Sequence, residues 1–380
     1  MTDYILWLGG VFVEDALKRP AVSTAANRWQ KGLLEALEQN HFPVFELLHF
    51  PEPVFPKGKL RPGVQDDIAS DFENCLVNYW NLPVLRTMDL CRVYLKAFKN
   101  ICERRGKPLA VFSYNPMPWA VTAGLYAQKH LQTPWIDVCA DHNEPGSDWG
   151  GYSLGAEAAR GHVFLSYNAF NSCPFGPKMH LDGGINGLRY KPGMENFQTE
   201  DKKIILYTGM LSIWGGVSFL LKAFSLISDP DIELWICGHG SSSELEAARR
   251  ADPRIKFYGL VSEERLQQIY RQATVLVNPR PNNINGNTMN FPSKILEYLS
   301  YGKPVVSTWT PGLSPDYREV LEVLPDENER CLADTILNVL QWPDERKKQN
   351  LIAIESFLLK SKTWKHQTDR LVAWLKKEVL

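Results

Sequence analysis

Lys294 and Glu297 lie three residues apart in the stretch FPSKILEYLSYG, a spacing that sets an ammonium and a carboxylate on one helix face. Such a pair could serve a phosphate and a sugar hydroxyl respectively. Pro292 suits the first turn of a helix and Gly302 suits its stop, so a helix is expected over 292–301. Its free N–H groups around Ser293 and Lys294 would add an anion site at the helix start. Arg280 follows the apolar run TVLVN, and a guanidinium fork matches phosphate oxygens. The plainer alternative is an exposed ion pair on a surface helix and a surface arginine in a loop.

A second group, Asp141-His142-Asn143-Glu144, follows the strand-like run WIDVC. His142 could act as a general base, with Asp141 as the other candidate, although Asp and Asn also favour turns and helix caps. Gly9, Gly10, Gly209, Gly238 and Gly240 stand at the ends of apolar runs, where a missing side chain lets a ligand approach the backbone. The fingerprint G-x-G-x-x-G is missing after the first strand, which lowers the case for a nicotinamide-dependent oxidoreductase.

These residues need elements to hold them. From residue 203 onward short apolar strands alternate with amphipathic helices: KIILYTG, SFLLKAFSLI, IELWICG, a helix at 243–250, RIKFYGL, a helix at 262–273, TVLVN, the 292–301 helix and PVVST. That alternation predicts a parallel, doubly wound α/β sheet. The first half reads similarly, with strands in ILWL, PVFELL, LAVFSY, WIDVCAD and GHVFLSY and helices at 25–39 and 120–130. Helical periodicity is read over 66–105 with a break at Pro83, and the Pro-rich stretch 49–64 reads as a surface loop that shapes a pocket. GSDWGGYSLG, 146–155, reads as a flap or a plain loop. Residues 187–203 read as a linker, and 344–378 as a terminal helix. Lys360, Lys362, Lys365, Lys376 and Lys377 could touch anionic lipid, though a solvated basic face is the plainer account.

Composition narrows the class. The chain has 380 residues, 44% of them hydrophobic, and a formal net charge of −1, so two globular domains and no nucleic-acid partner are expected. Seven cysteines without C-x-x-C spacing favour a reducing compartment over a zinc site. MTDYILWLGG reads as a first strand rather than a signal peptide, and no apolar run approaches the roughly 20 residues that span a bilayer.

NPRP followed by FPSKILEYLSYGKPVVS resembles the donor-nucleotide segment of GT-B glycosyltransferases, in particular the retaining group called glycosyltransferase family 4. The resemblance implies two Rossmann-like domains facing across a cleft. On this reading 1–186 binds the acceptor, 187–203 links, 204–355 binds a nucleotide-diphospho-sugar, and a 356–380 helix packs back on the first domain. It implies that Glu297, the second carboxylate of an E-x7-E motif, binds the ribose. Gly9 and Gly10 would lie beside the donor sugar, His142 on a sugar hydroxyl, and the turn at Val261 on the nucleobase, with Asn290 and Ser293 completing the donor site. Three positions depart from the pattern: Met289 stands where the first carboxylate belongs, and Met210 and Gly215 stand where an Arg and a Lys normally hold the diphosphate. Arg280, Lys294 and the helix start would then have to stabilise the leaving group, with no metal and no cofactor beyond the sugar nucleotide itself. The implied activity is retaining transfer, from a UDP-sugar first and a GDP-sugar next, to a saccharide or lipid-linked acceptor in surface polysaccharide assembly. The expected location is the cytoplasm, with peripheral contact at the inner face of the membrane allowed. The departures also leave open a catalytically silent sugar-nucleotide-binding subunit.

Overall fold

A computed structural model describes residues 4–14, 21–63, 70–141, 155–190, 202–284 and 286–380. The chain divides into two compact units, Met1–Gly184 with Trp364–Leu380, and Ile185–Thr363.

Unit 1 runs β1 (Ile5–Leu8), α1 (Thr24–Gln39), β2 (Val44–Leu48), β3 (Glu73–Leu76), α2 (Leu85–Arg105), β4 (Ala110–Tyr114), α3 (Pro118–Tyr126), β5 (Trp135–Cys139), β6 (Gly161–Phe164), α4 (Tyr167–Ser172) and β7 (Lys178–His180). The strands form one parallel sheet in the order β3-β2-β1-β4-β5-β6-β7. ILWL, VFELL and WIDVC are buried along their whole length, as strands covered on both faces must be. The helical periodicity read from 66 to 105 is wrong for its first part. Residues 73–76 pair with Phe45–Leu48 as an edge strand, and the helix begins only at Leu85, after Pro83. A half-exposed edge strand has no clean period of two, which is why the pattern misled.

Unit 2 runs β8 (Lys203–Thr208), α5 (Val217–Phe224), β9 (Ile232–Cys237), α6 (Ser243–Ala251), β10 (Ile255–Gly259), α7 (Glu263–Gln272), β11 (Val275–Asn278), α8 (Lys294–Ser300), β12 (Val305–Ser307), β13 (Glu322–Val323), α9 (Glu329–Leu340) and α10 (Asp344–Ser361). Its parallel sheet has the order β10-β9-β8-β11-β12-β13. A core of Ile205, Leu234, Ile236, Val275 and Val277 packs against Leu220 of α5 and Ile336 of α9. Ser242, Ser262 and Asn328 cap α6, α7 and α9 through their side chains, which fixes where each helix starts.

The expected single helix over 344–378 is two helices. α10 ends at Ser361, and α11 (Trp364–Trp374) belongs to unit 1. Trp364 meets Trp29 of α1 edge to face at 5.6 Å, and Gln367 donates to the Gly183 carbonyl at 2.8 Å. Gly32 admits this contact, because a Cβ there would lie 2.0 Å from Trp364 Nε1. The basic tail is also less free than its sequence suggests. Lys362 is buried over Tyr317 and paired with Asp316, while Lys365 and Lys377 pair with Asp369 and Glu378.

Candidate active site

In a doubly wound sheet the ligand crevice opens at the carboxyl ends of the strands, where the winding reverses. In unit 2 that point lies between β8 and β11, so the loops 209–216 and 279–293 frame it, with 238–242 beside them.

The loop after β8 is built on glycine. Gly209 donates to the Cys237 carbonyl at 2.9 Å and Leu211 to that of His239 at 2.8 Å, which lashes the loops after β8 and β9 together. Gly238 permits the contact: its φ is +151°, and a Cβ there would stand 1.7 Å from the Gly209 carbonyl oxygen. Gly215 has a steric reason of its own. A side chain would meet the Tyr207 hydroxyl at 2.2 Å and the Met210 carbonyl at 2.8 Å. Position 215 is therefore closed to any side chain, and the neighbouring Met210, Ile213 and Trp214 are exposed.

Arg280 follows β11 and is held by Asn287, whose Oδ1 accepts from Arg280 Nε at 2.7 Å. Asn287 is fully buried and also donates to the carbonyls of Pro281 at 2.8 Å and Trp214 at 3.1 Å. One amide thus ties Arg280 to the loop after β8. Arg280 also lies close enough to Tyr207 that its charge opposes the burial that raises the phenol.

The helix expected over 292–301 is shorter, with α8 beginning at Lys294. A tight turn from Pro292 to Ile295 precedes it, and the Ser293 side chain makes no cap bond. Gly302 ends it at φ +66°, as the sequence required. Lys294 Nζ donates to Glu297 Oε2 at 3.1 Å; the carboxylate side chain is 6% exposed and the lysine 38%. Burial pushes the Cys237 thiol up to about 11, and Arg265 and Lys294 oppose it, which locates Lys294 near the end of β9. Tyr298 pins the helix to β8, its hydroxyl accepting from Thr208 N at 2.9 Å and donating to Thr208 O at 3.0 Å. Tyr270 reaches the Thr208 hydroxyl at 2.7 Å. Met289 is buried and Asn290 half-buried, its carbonyl 2.4 Å from where a Cβ on Gly312 would sit. Val261 is half-buried in the turn after β10. The structure therefore gathers Arg280, Lys294, Glu297, Gly209, Gly238 and Gly240 at one end of the unit 2 sheet.

Unit 1 treats its first loop differently. Gly10 N donates to Gln30 Oε1 at 3.1 Å, Val11 N to Glu46 Oε1 at 3.0 Å and Phe12 N to Asn27 Oδ1 at 2.6 Å. At Gly9 a Cβ would lie 2.4 Å from Trp7 Nε1. Glu46 is fully buried, also accepts from the Ser70 hydroxyl, and burial raises its carboxyl to about 7. Sequence reasoning passed over Glu46, although a lone carboxylate inside an apolar strand was the available signal. Asp141 is exposed and held by Asn115, which donates to its carboxylate at 3.3 Å and accepts from its N–H at 3.2 Å. His142, Asn143, Glu144 and most of the 146–155 segment lie outside the described residues. Among the described residues no group of three His, Cys, Asp or Glu side chains could hold a metal ion. No helix among them is long and apolar enough to cross a membrane.

Residues 202–341 match the family model of group 1 glycosyl transferases. No curated protein matches the sequence significantly. Among solved structures, a glycosyltransferase from Rickettsia africae superposes with a TM-score of 0.72 at 12% identity, covering 99% of each chain. Anabaena HepE in complex with UDP gives 0.68 at 13% identity, over 98% of this chain and 99% of that one. Sucrose-phosphate synthase from Thermosynechococcus elongatus gives 0.68 at 16% identity, over 98% of each. Two parallel doubly wound units and the overlay along nearly the full length show the GT-B fold, and within it residues 202–341 match the group 1 glycosyl transferases.

Proposed function

We propose that unit 2 binds a nucleotide-diphospho-sugar, UDP-linked first and GDP-linked next, and that the sugar passes to a saccharide or lipid-linked acceptor with retention and without metal. The observation that carries this reading is the Lys294–Glu297 pair at the carboxyl end of the sheet, with Arg280 held nearby through Asn287. Breaking the bond between anomeric carbon and diphosphate oxygen leaves a cation-like sugar and puts negative charge on the diphosphate. Fixed cations are worth most where that charge grows. An ammonium has three donors, so Lys294 can keep Glu297 and still meet a phosphate oxygen. Glu297 would take the ribose hydroxyls. HepE has been crystallised with UDP, which favours the uracil nucleotide for a related fold. The work would take place in the cytoplasm, in assembly of surface polysaccharide or a related glycoconjugate.

A thermal-shift screen against UDP-, GDP- and dTDP-sugars, followed by donor hydrolysis, tests this reading, since a ligand that binds only the native state raises its stability. A UDP-sugar should raise the melting temperature and be turned over. Binding without turnover would favour a catalytically silent subunit, the reading supported by the uncharged residues at 210, 215 and 289.

A further inference from the structure

A cavity of about 450 Å³ opens in unit 1 between the edge strand β3 and the last turns of α2, a volume within the range of small-molecule sites. It lies at the amino ends of β2 and β3, since Phe45 is the second residue of one strand and Glu73 the first of the other. Gly9, Gly10 and Asp141 follow the carboxyl ends of their strands, at the other end of the same parallel sheet. One face of α2 turns to the cavity, for Ala97, Asn100, Ile101 and Arg104 recur at three and four residues. Phe45 and Ile101 are buried and give it an apolar floor, with the half-buried Cys75 beside them.

The charges that line it do not cancel. Glu73 pairs with Arg105, whose guanidinium also lies over the Phe45 ring at 4.6 Å. Arg104 is left over, with no carboxylate partner among the described residues. Its charge reaches the cavity, because burial raises the Cys75 thiol and Arg104 opposes that rise. Asn100, one helical turn earlier, adds an amide on the same side. One guanidinium balances the single charge of a carboxylate, and its fork matches the two oxygens; a phosphate carries nearly twice that charge. The edge itself is a poor template for a peptide strand. β3 is only 4 residues long, and Asn74 Nδ2 donates to the Phe72 carbonyl at 2.8 Å.

We propose that this cavity binds a small carboxylate with an apolar body. The carboxylate oxygens would take the Arg104 fork and the Asn100 amide, and the body would lie on Phe45 and Ile101. Ligand sites are commonly built this way, from an apolar lining and a few polar groups that fix orientation. The proposal does not rest on the donor-site reading, because the cavity and the unit 2 loops share no residue.

The test is calorimetric titration of 3-phenylpropionate into the full chain, against its neutral amide, 3-phenylpropionamide. The acid should bind saturably with a Kd of roughly a millimolar or below, and the amide about tenfold more weakly or worse. Arg104→Gln should weaken the acid roughly tenfold or more and leave the affinity for the amide as it was. Thermal unfolding and UDP-sugar binding of that variant should stay at the parent values, so failure here is distinct from failure of the donor site. The place of binding is read without any substitution: 3-phenylpropionate should slow alkylation of Cys75 by iodoacetamide, followed by mass spectrometry, in the parent protein. Absence of saturable binding, equal affinity for acid and amide, unchanged affinity in Arg104→Gln, or alkylation of Cys75 at the same rate with the acid present would each overturn the proposal.

Discussion

Each unit's first strand ends in a glycine loop, and the two loops are held in opposite ways. In unit 1 the N–H groups of Gly10, Val11 and Phe12 are consumed by the side chains of Gln30, Glu46 and Asn27, two of which come from α1 and one from β2. In unit 2 the N–H groups of the loop after β8 go to main chain, Gly209 to Cys237 and Leu211 to His239, and side chains reach only its carbonyls, Asn287 that of Trp214 and Tyr207 that of Met210. Of the charged side chains near it, Arg280 is held by the Asn287 amide, and Lys294 pairs with Glu297. A buried side chain that occupies a backbone donor must be displaced before a ligand can use that donor, and a buried polar group left unpaired is costly. The backbone of the first loop therefore has a structural duty, while the proposed function gives the side chains around the second a chemical one.

The largest effect expected from that contrast is on turnover. Lys294→Ala and Arg280→Ala should each lower kcat by roughly a hundredfold to a thousandfold, the range seen when one preorganised donor to a developing anion is removed. Lys294→Ala also takes the ammonium from the nearly buried Glu297 carboxylate, so a lower melting temperature should accompany the loss of turnover. Full turnover in both variants would erase the distinction between the loops.

Next in size is a steric prediction about the backbone lashing of unit 2. Gly238→Ala places a Cβ 1.7 Å from the Gly209 carbonyl at φ +151°, and should cost roughly 3 kcal/mol in chemical denaturation. A variant as stable as the parent would mean that the two loops are not joined this way.

Asn27→Ala sharpens the other side of the contrast. It removes the acceptor of Phe12 N and the donor to Phe12 O, and should cost about 1–3 kcal/mol of stability while leaving the Kd for a sugar nucleotide unchanged. The smallest effect concerns Glu46. Its folded pKa of about 7 is raised above the ordinary 4.5, so its contribution is fully present below 4.5 and is lost as pH rises through 7. Glu46→Gln should remove that alkaline loss, leaving unfolding free energies that differ from the parent by about 1–3 kcal/mol at pH 8 and converge near pH 5. Parallel curves across that range would show that the carboxyl is not titrating there.

Much of the fold was legible because strands covered on both faces are written as short apolar runs, and KIILYT, IELWIC and VLVN needed no other signal. The segment 73–76 was not legible, because an edge strand gains its identity from pairing with Phe45–Leu48, which lies far off in sequence. Within the site, Lys294 and Glu297 were visible as a helical i, i+3 pair, and Gly302 as its stop. Asn287 was not. It stands in an Asn-rich loop where nothing marks one amide over another, and its importance comes from three partners that only folding assembles. Tyr298 and Tyr270 were hidden likewise, since any apolar helix face carries aromatics, and only their shared bonds to Thr208 reveal what they hold. The closure of position 215 by Tyr207 could be found only in three dimensions.

The central claim, that cations around α8 hold a sugar nucleotide, is tested most directly by calorimetric titration of a UDP-sugar into the parent protein, Lys294→Ala and Glu297→Gln. One site should appear in the parent, weakened roughly tenfold to a hundredfold in each variant, as expected for loss of one charge-assisted hydrogen bond. Equal affinity in all three proteins, or no binding of UDP-, GDP- or dTDP-sugar to the parent, would contradict it.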